Sequence, residues 1–243
     1  MARVDYDKQS AVYDEGRGFS PDDYQAWRFA LVRFMESGSR VLDLGSGTGR
    51  WSTTLADWFG VRIVGVEPSS GMRSRAVAKE SNPLISYVAG CAEAIPLGDD
   101  AVNAAWLAHV IHHFDDLRAA AHELRRVVPA GAPVLIRQAF SDRLDGISLF
   151  RFFPDTVAKT FPSVSDTVGI FNDAGFDQMQ LQSHTQQTAP SLEATIERVR
   201  LRADTTLELL SHSEFERGLE LLVQTARVEH GPVLDTLDLL VLR

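Results

Sequence analysis

A single cysteine, Cys91, stands among 243 residues. One thiol cannot close an internal disulfide or supply a cysteine-rich metal site, and it fits a reducing compartment. Basic charge is also scarce. The 24 Lys and Arg residues face 33 Asp and Glu residues, a formal net charge of −9. A sequence-independent binder of nucleic acid or of anionic membrane works through a basic surface, so this balance argues against both. No apolar run approaches the roughly 20 residues that a membrane span needs. The start, M-A-R-V-D-Y-D-K, is charged and no apolar leader follows it. The expectation is a cytoplasmic protein with a small-molecule partner, no nucleic acid and no membrane. Internal repeats and low-complexity segments are lacking too. The rest is ordinary globular composition, 44% hydrophobic and 23% charged, on a length that suits one large α/β domain, with or without an elaboration.

The most informative stretch is Arg40 to Arg50, R-V-L-D-L-G-S-G-T-G-R. An apolar run ends in three glycines, Gly45, Gly47 and Gly49, and a helical pattern begins at Trp51. A strand, a tight turn and a helix N-terminus follow from that order, with backbone bared for a ligand. The dinucleotide fingerprint would need glycine at position 50, where Arg50 stands, and a Walker A lysine is missing. The loop suits a nucleoside that is not held mainly by its phosphates. A second apolar strand, Val61 to Val66, ends in Glu67-Pro68. Glu67 lies 22 positions after Gly45, near the spacing of an acid that accepts hydrogen bonds from both ribose hydroxyls.

On these residues the chain resembles the class I S-adenosylmethionine (SAM) dependent methyltransferases, of the UbiE/type-11-like small-molecule type. The specific likeness runs over about residues 37 to 140. It implies SAM as cofactor. The implied cofactor contacts are Tyr13, Arg17, Asp43, Gly45, Ser46, Gly47, Gly49, Glu67, Pro68, Cys91, Ala92, Glu93 and Ala108. Tyr13 and Arg17 belong to an N-terminal arm that in similar enzymes folds over the pocket, Arg17 facing the methionine carboxylate. The alternative for that arm is a solvated tail. The segment Gly90 to Leu97, G-C-A-E-A-I-P-L, stands where the family often reads Gly-Asp-Ala-Glu and cradles adenine. Cys91 is a weak acceptor in that place, so the contact would shift to the backbone near Ala92, to Glu93 or to a water.

After a fourth strand, Val102 to Leu107, comes A-H-V-I-H-H-F, with His109, His112 and His113. The spacing would set two imidazoles on one helical face. No cysteine or carboxylate cluster completes a metal site, and none is expected. His109 and His112 are the catalytic candidates, as base or as orienting groups near neutral pH. Further strands are expected at Ile85 to Ala89, Pro133 to Gln138, Phe176 to Gln182 and Leu234 to Leu242. Helices are expected at Trp51 to Phe59, Gly71 to Glu80, Asp115 to Val128 and Ser165 to Ala174, with one more opening at Ser20 and closing at Gly38. Strands alternating with helices predict an α/β fold. It is a doubly wound, mostly parallel seven-stranded sheet, the Rossmann-like methyltransferase fold, with a helical insertion before the last strand. Ligands in such sheets lie past the strand ends, where Asp43, the glycine loop, Glu67, Ala92 and His109 converge.

Residues 1–36 would form an arm and helix over the cofactor, and 37–243 the SAM-binding domain. Within it, 141–163 and 190–231 would be substrate-side or cap elements. The first of these gathers Phe150, Phe152, Phe153 and Phe161, which read either as an aromatic wall over the acceptor or as core. The second holds two amphipathic patterns, the later one opened by Ser213 with Glu216 as a capping box. It could cap the site or form a homodimer face. The function expected is methyl transfer to a small, apolar or aromatic acceptor. The alternatives are a non-methylating SAM-binding enzyme of this fold and a non-catalytic SAM-binding partner subunit. The acceptor class fits the acidic charge and the lack of an Asn-Pro-Pro-Tyr or Asp-Pro-Pro-Tyr signature after the fourth strand. The missing third glycine and the lack of a Tyr-x-x-x-Lys pair tell against a nicotinamide dehydrogenase.

Overall fold

Val41, Leu42 and Leu44, in the run before the glycines, are all at most 1% exposed. A strand buried on both faces belongs in the middle of a covered parallel sheet. The computed structural model describes residues 25–154, 161–202 and 205–243 and places this strand there. In chain order the strands are β1 (Arg40–Leu44), β2 (Arg62–Glu67), β3 (Ile85–Ala89), β4 (Ala104–Ala108), β5 (Val134–Gln138), β6 (Gln178–Ala189) and β7 (Val233–Leu242). The α-helices are α1 (Gln25–Leu31), α2 (Arg50–Phe59), α3 (Ser70–Lys79), α4 (Leu117–Val127), α5 (Val164–Asp173), α6 (Leu192–Arg200) and α7 (His212–Ala226).

The sheet runs β3-β2-β1-β4-β5-β7-β6. β1 to β5 pair in parallel, and β7 runs antiparallel to both β5 and β6. This is the doubly wound, mostly parallel seven-stranded sheet that the sequence implies. The chain travels outward from β1 through β2 to β3, then returns to lay β4 on the other side of β1. That reversal is the switch point at which such sheets open a crevice at their carboxyl ends. Residues 90–103 make the return crossing as a loop without a helix.

Period-2 alternation divides the core between the two faces. Leu42, Leu44, Val64 and Val66 pack with Leu124 of α4 and Phe171 of α5. Val41, Ile63, Trp106 and Leu135 pack on the other face with Trp27 and Leu31 of α1 and Leu55 of α2. A third cluster, at the ends of β6 and β7, joins Phe152 and Phe153 to α6 and α7 through Leu192, Ile196, Val199, Phe215 and Leu222.

The structure differs from the sequence reading in two places. β6 begins at Gln178 and runs to Ala189, well beyond the stretch Phe176 to Gln182 that reads as its start. Its glutamines, serine and threonines hide it from an apolarity search, yet they suit an edge strand. The capping box of α7 is Ser211 with Glu214, not Ser213 with Glu216. Both pairs have the right spacing, but a cap needs non-helical backbone, and Ser211 at φ −61°, ψ 157° has it while Ser213 lies within the first turn. The expected start of the first helix at Ser20 lies outside the described residues.

Gly218 of α7 shows how tightly the cap is packed. A Cβ there would lie 2.2 Å from Phe153 Cε1 and 2.6 Å from the Phe152 carbonyl oxygen. Gly218→Ala is therefore expected to destabilise the cap by about 1–3 kcal/mol, although alanine is the better helix former. Hydrogen exchange should accelerate in α6 and α7 and remain slow in β1 and β4. Unchanged exchange in the cap would contradict this packing.

Candidate functional site

The crevice begins where β1 ends. Gly45, Gly47 and Gly49 all adopt positive φ, at 73°, 56° and 83°. Two of these glycines are also required by contact. A Cβ on Gly45 would meet Val110 Cγ2 at 2.3 Å, and one on Gly49 would meet the Tyr87 hydroxyl at 2.2 Å. Gly47 differs, because a Cβ there would have nothing within 4 Å. It faces open space on the cavity side.

Glu67 binds this loop to the end of β2. Its Oε2 accepts the Gly47 N–H at 3.0 Å, and its Oε1 accepts the Ser69 N–H at 2.9 Å. The Val66 carbonyl accepts the Gly45 and Ser46 amides at 2.8 and 3.2 Å. The carboxylate is 7% exposed, and backbone donors make that burial tolerable. Arg73 donates to the Glu67 and Pro68 carbonyls and so fixes the turn that follows.

Asp43 lies beneath the loop, 1% exposed, and its Oδ2 accepts the Ser52 hydroxyl at 2.6 Å. Burial pushes its carboxyl up to about 7. The nearby Glu67 charge adds to the rise and the Ser52 hydrogen bond opposes it. Burial likewise pushes the Tyr87 hydroxyl above the usual phenol range.

The opposite wall begins where β4 ends. His109 has φ of 58°, a conformation that few residues other than glycine adopt, and its N–H donates to the Arg137 carbonyl at 2.7 Å. The turn aims its ring toward Phe161, 5.6 Å between centroids, with the His112 ring 5.0 Å away. His112 Nδ1 shares a hydrogen bond with the Gln138 amide at 2.9 Å.

A cavity extends from this crevice to the cap, with about 210 Å³ open to the centres of water-sized molecules. Of the residues expected at the site, Asp43, Gly45, Ser46, Gly47, Ala108 and His109 line it. Gly49 and Glu67 are not in the lining, although Glu67 is bonded to the Gly47 amide. Pro68 and His112 are not in the lining, and neither are Cys91, Ala92 and Glu93. The Glu93 side chain has another task, since its Oε1 accepts the Asp115 and Asp116 amides at 2.8 and 3.2 Å ahead of α4. Ala92 is buried in the core. Tyr13 and Arg17 lie outside the described residues. Among the described residues no group of three His, Cys, Asp or Glu could hold a metal ion.

The phenylalanines of the 141–163 stretch divide between the two readings. Phe150 and Phe161 line the cavity, while Phe152 and Phe153 are core of the cap. The sequence reading missed Trp51, Arg137, Gln186, Thr188, Thr195, Arg198 and Thr206, all in the lining. Arg137 carried a signal, as a charge directly after the apolar run V-L-I of a buried strand. Gln186 and Thr188 lie on the polar second half of β6, past the stretch that reads as its start.

The strand order and the glycine turn after the first strand define the class I methyltransferase fold. Residues 42–136 match the model of the methyltransferase domain family. The chain is 33% identical over 133 residues to an uncharacterized methyltransferase of Mycobacterium bovis, covering 55% of this chain and 51% of that protein. It is 30% identical over 151 residues to a demethylmenaquinone methyltransferase of Paenarthrobacter aurescens, covering 61% and 57%. The chain thus spans about half the length of these curated relatives. Among solved structures it resembles the [4+2]-cyclase SpnF, with a TM-score of 0.64 at 16% identity, covering 98% of this chain and 93% of that one. That likeness shows the fold alone. No helix among the described residues is long and apolar enough to cross a membrane.

The raised Asp43 pKa has a defined sign. An unfolded carboxyl loses its proton near pH 4 and the folded one near pH 7. Between those values the folded state holds more protons, so stability falls as pH rises through the window and is level above it. Asp43→Asn has no proton to lose. The stability of wild type relative to Asp43→Asn should drop between pH 4 and 7, by up to about 4 kcal/mol for a shift of this size. Denaturant melts at a series of pH values measure it, and parallel profiles for the two proteins would refute a raised pKa.

Proposed function

We propose that the protein is a SAM-dependent methyltransferase acting on a small-molecule acceptor. The observation that carries this reading is the joining of the glycine loop to Glu67 at the switch point of a methyltransferase domain. The residues fit the donor. Gly47 leaves the space a nucleoside would occupy, and the carboxylate of Glu67 lies beside it. A carboxylate has about four acceptor positions, which suits it to a pair of ribose hydroxyls. Adenine would rest against the backbone of the 90–93 segment, because the Glu93 carboxylate is engaged elsewhere. Tyr13 and Arg17 remain the proposed contacts for the methionine end.

The sulfonium of SAM makes its methyl group electrophilic, so the hard chemistry comes with the cofactor. The chain's own work is to orient an acceptor nucleophile and exclude water. Phe150 and Phe161 supply an apolar wall for the acceptor. His109 is the proposed orienting group or base, since its left-handed backbone points the imidazole into the cavity rather than along the strand. His112, held by Gln138 and packed 4.6 Å from Phe161, supports that wall from behind. Cytoplasmic location is part of this reading, supported by the acidic composition and the lone cysteine.

The same fold also serves the [4+2]-cyclase, and this keeps a non-methylating reaction as the second reading. Product mass separates the two, because turnover without the gain of one methyl would overturn the first.

Two substitutions test the roles of residues. Glu67→Ala should weaken SAM binding in calorimetry by about 1–3 kcal/mol, from lost hydrogen bonds to the ribose. Unchanged affinity would remove Glu67 from the donor site. His109→Gln should lower the methylation rate while SAM affinity stays near wild type. A rate equal to wild type would show that the imidazole is dispensable.

A further inference from the structure

The return crossing from β3 to β4, residues 90–103, carries no helix. A parallel crossover is usually a helix, whose backbone groups bond to one another. Here much of that bonding falls to α4. Arg126, in its last turn, makes five hydrogen bonds, one for each N–H of the guanidinium. Nε and Nη2 hold Glu123 at 2.8 and 2.7 Å. Nη2 also donates to the Ile95 carbonyl at 2.9 Å. Nη1 donates to the Leu97 carbonyl at 2.7 Å and to Asp99 Oδ1 at 3.0 Å. Glu123 Oε2 in turn accepts the Ile95 N–H at 2.8 Å. Further along, the Asp100 and Val102 amides donate to the Arg126 and Val127 carbonyls at 2.9 and 3.2 Å. Those are carbonyls that the end of a helix leaves open. Glu93 ties the near end of the crossing to the start of α4 through the Asp115 and Asp116 amides.

This clamp reaches the donor side through Pro96. The two carbonyls bound by Arg126 belong to its neighbours, Ile95 and Leu97, and the Leu97 amide donates to the Ile95 carbonyl at 2.8 Å. Pro96 presses on Gly90. A Cβ on Gly90 would lie 2.5 Å from Pro96 Cδ and 3.1 Å from Val66 Cγ1. Gly90 directly follows Ala89, the register partner of Glu67. The 90–93 backbone therefore starts one residue beyond the rung of Glu67, about 5 Å across the sheet. A nucleoside with its ribose on Glu67 would set its base there.

We propose that Arg126 is a positioning residue for the donor: by holding Ile95 and Leu97 it fixes Pro96 against Gly90, and with it the backbone edge that reads adenine. The proposal rests on the SAM reading and deepens it, because it assigns base recognition to a side chain outside the cavity lining.

A fixed edge of amides and carbonyls separates adenine from hypoxanthine, since the 6-amino donor becomes a 6-oxo acceptor. The test is calorimetry of the full chain with S-adenosylhomocysteine and with its deaminated analogue, S-inosylhomocysteine. Wild type should prefer the adenine compound by about tenfold or more. Arg126→Gln should cut that ratio by about threefold or more, and Arg126→Lys should keep part of it. Arg118→Gln removes another arginine of α4, one paired at the surface with Asp173, and should leave the ratio unchanged. A role confined to stability would lower the melting temperature and the fraction of chains that bind, but not the ratio. Should Arg126→Gln fail to fold, Glu123→Gln decides, because it removes a partner of the clamp and should lower the same ratio. A ratio equal to that of wild type in the deciding variant overturns the proposal and leaves the SAM reading standing. Equal binding of the two compounds by wild type, or an equal fall in Arg118→Gln, does the same. Binding of neither compound by wild type overturns both.

Discussion

The two hydrogen bonds received by Glu67, from the Gly47 and Ser69 amides, hold the crevice together. The first fastens the loop after β1 and the second fastens the turn after β2. Each turn opens a helix, so the carboxylate also lies near the positive ends of α2 and α3. A buried charge in this place orders two loops at once, and the glycine loop keeps its shape because both oxygens are engaged. The backbone left exposed at Gly47 follows from that arrangement. So does the electrostatic setting of Asp43, whose carboxyl is raised partly by the charge of Glu67.

Beyond that tie, the molecule divides its tasks along the sheet. The half from β3 to β4 holds the glycine loop and the acids. The half from β5 to β6 carries the wall of arginines and threonines, and the cap closes over it. His109 stands at the seam, on the last turn of β4 yet bonded through its amide to Arg137 of β5. A cavity shared in this way can change one wall without changing the glycine loop.

The sequence was most legible where one face of chemistry dominates. Buried parallel strands read as apolar runs, and β3 was found at its observed bounds. The glycine loop was legible because backbone conformation demanded glycine at each of three positions, and contact with Val110 and Tyr87 adds to that demand at two of them. Glu93 shows the limit. Its type and place suggested a ligand, but its carboxylate caps the segment before α4, a partner 22 residues away that no local pattern announces. The arginine wall was unreadable for a related reason. Arg137 and Arg198 come from distant elements, and each bonds to the polar second half of β6, past the stretch that reads as its start. The phenylalanines of residues 150–161 were ambiguous because both readings were true of different residues.

The position of the cap in the chain has one more consequence. Ala189 and Val233, its two flanking residues, are paired partners on adjacent strands. The whole segment between them therefore leaves and re-enters the sheet at one rung, across about 5 Å. Evolution can lengthen, shorten or replace such a segment as a unit, because its closure asks only that two neighbouring points be joined. The sheet below keeps its register through the pairs that precede that rung. One crevice can thus be fitted with many different roofs.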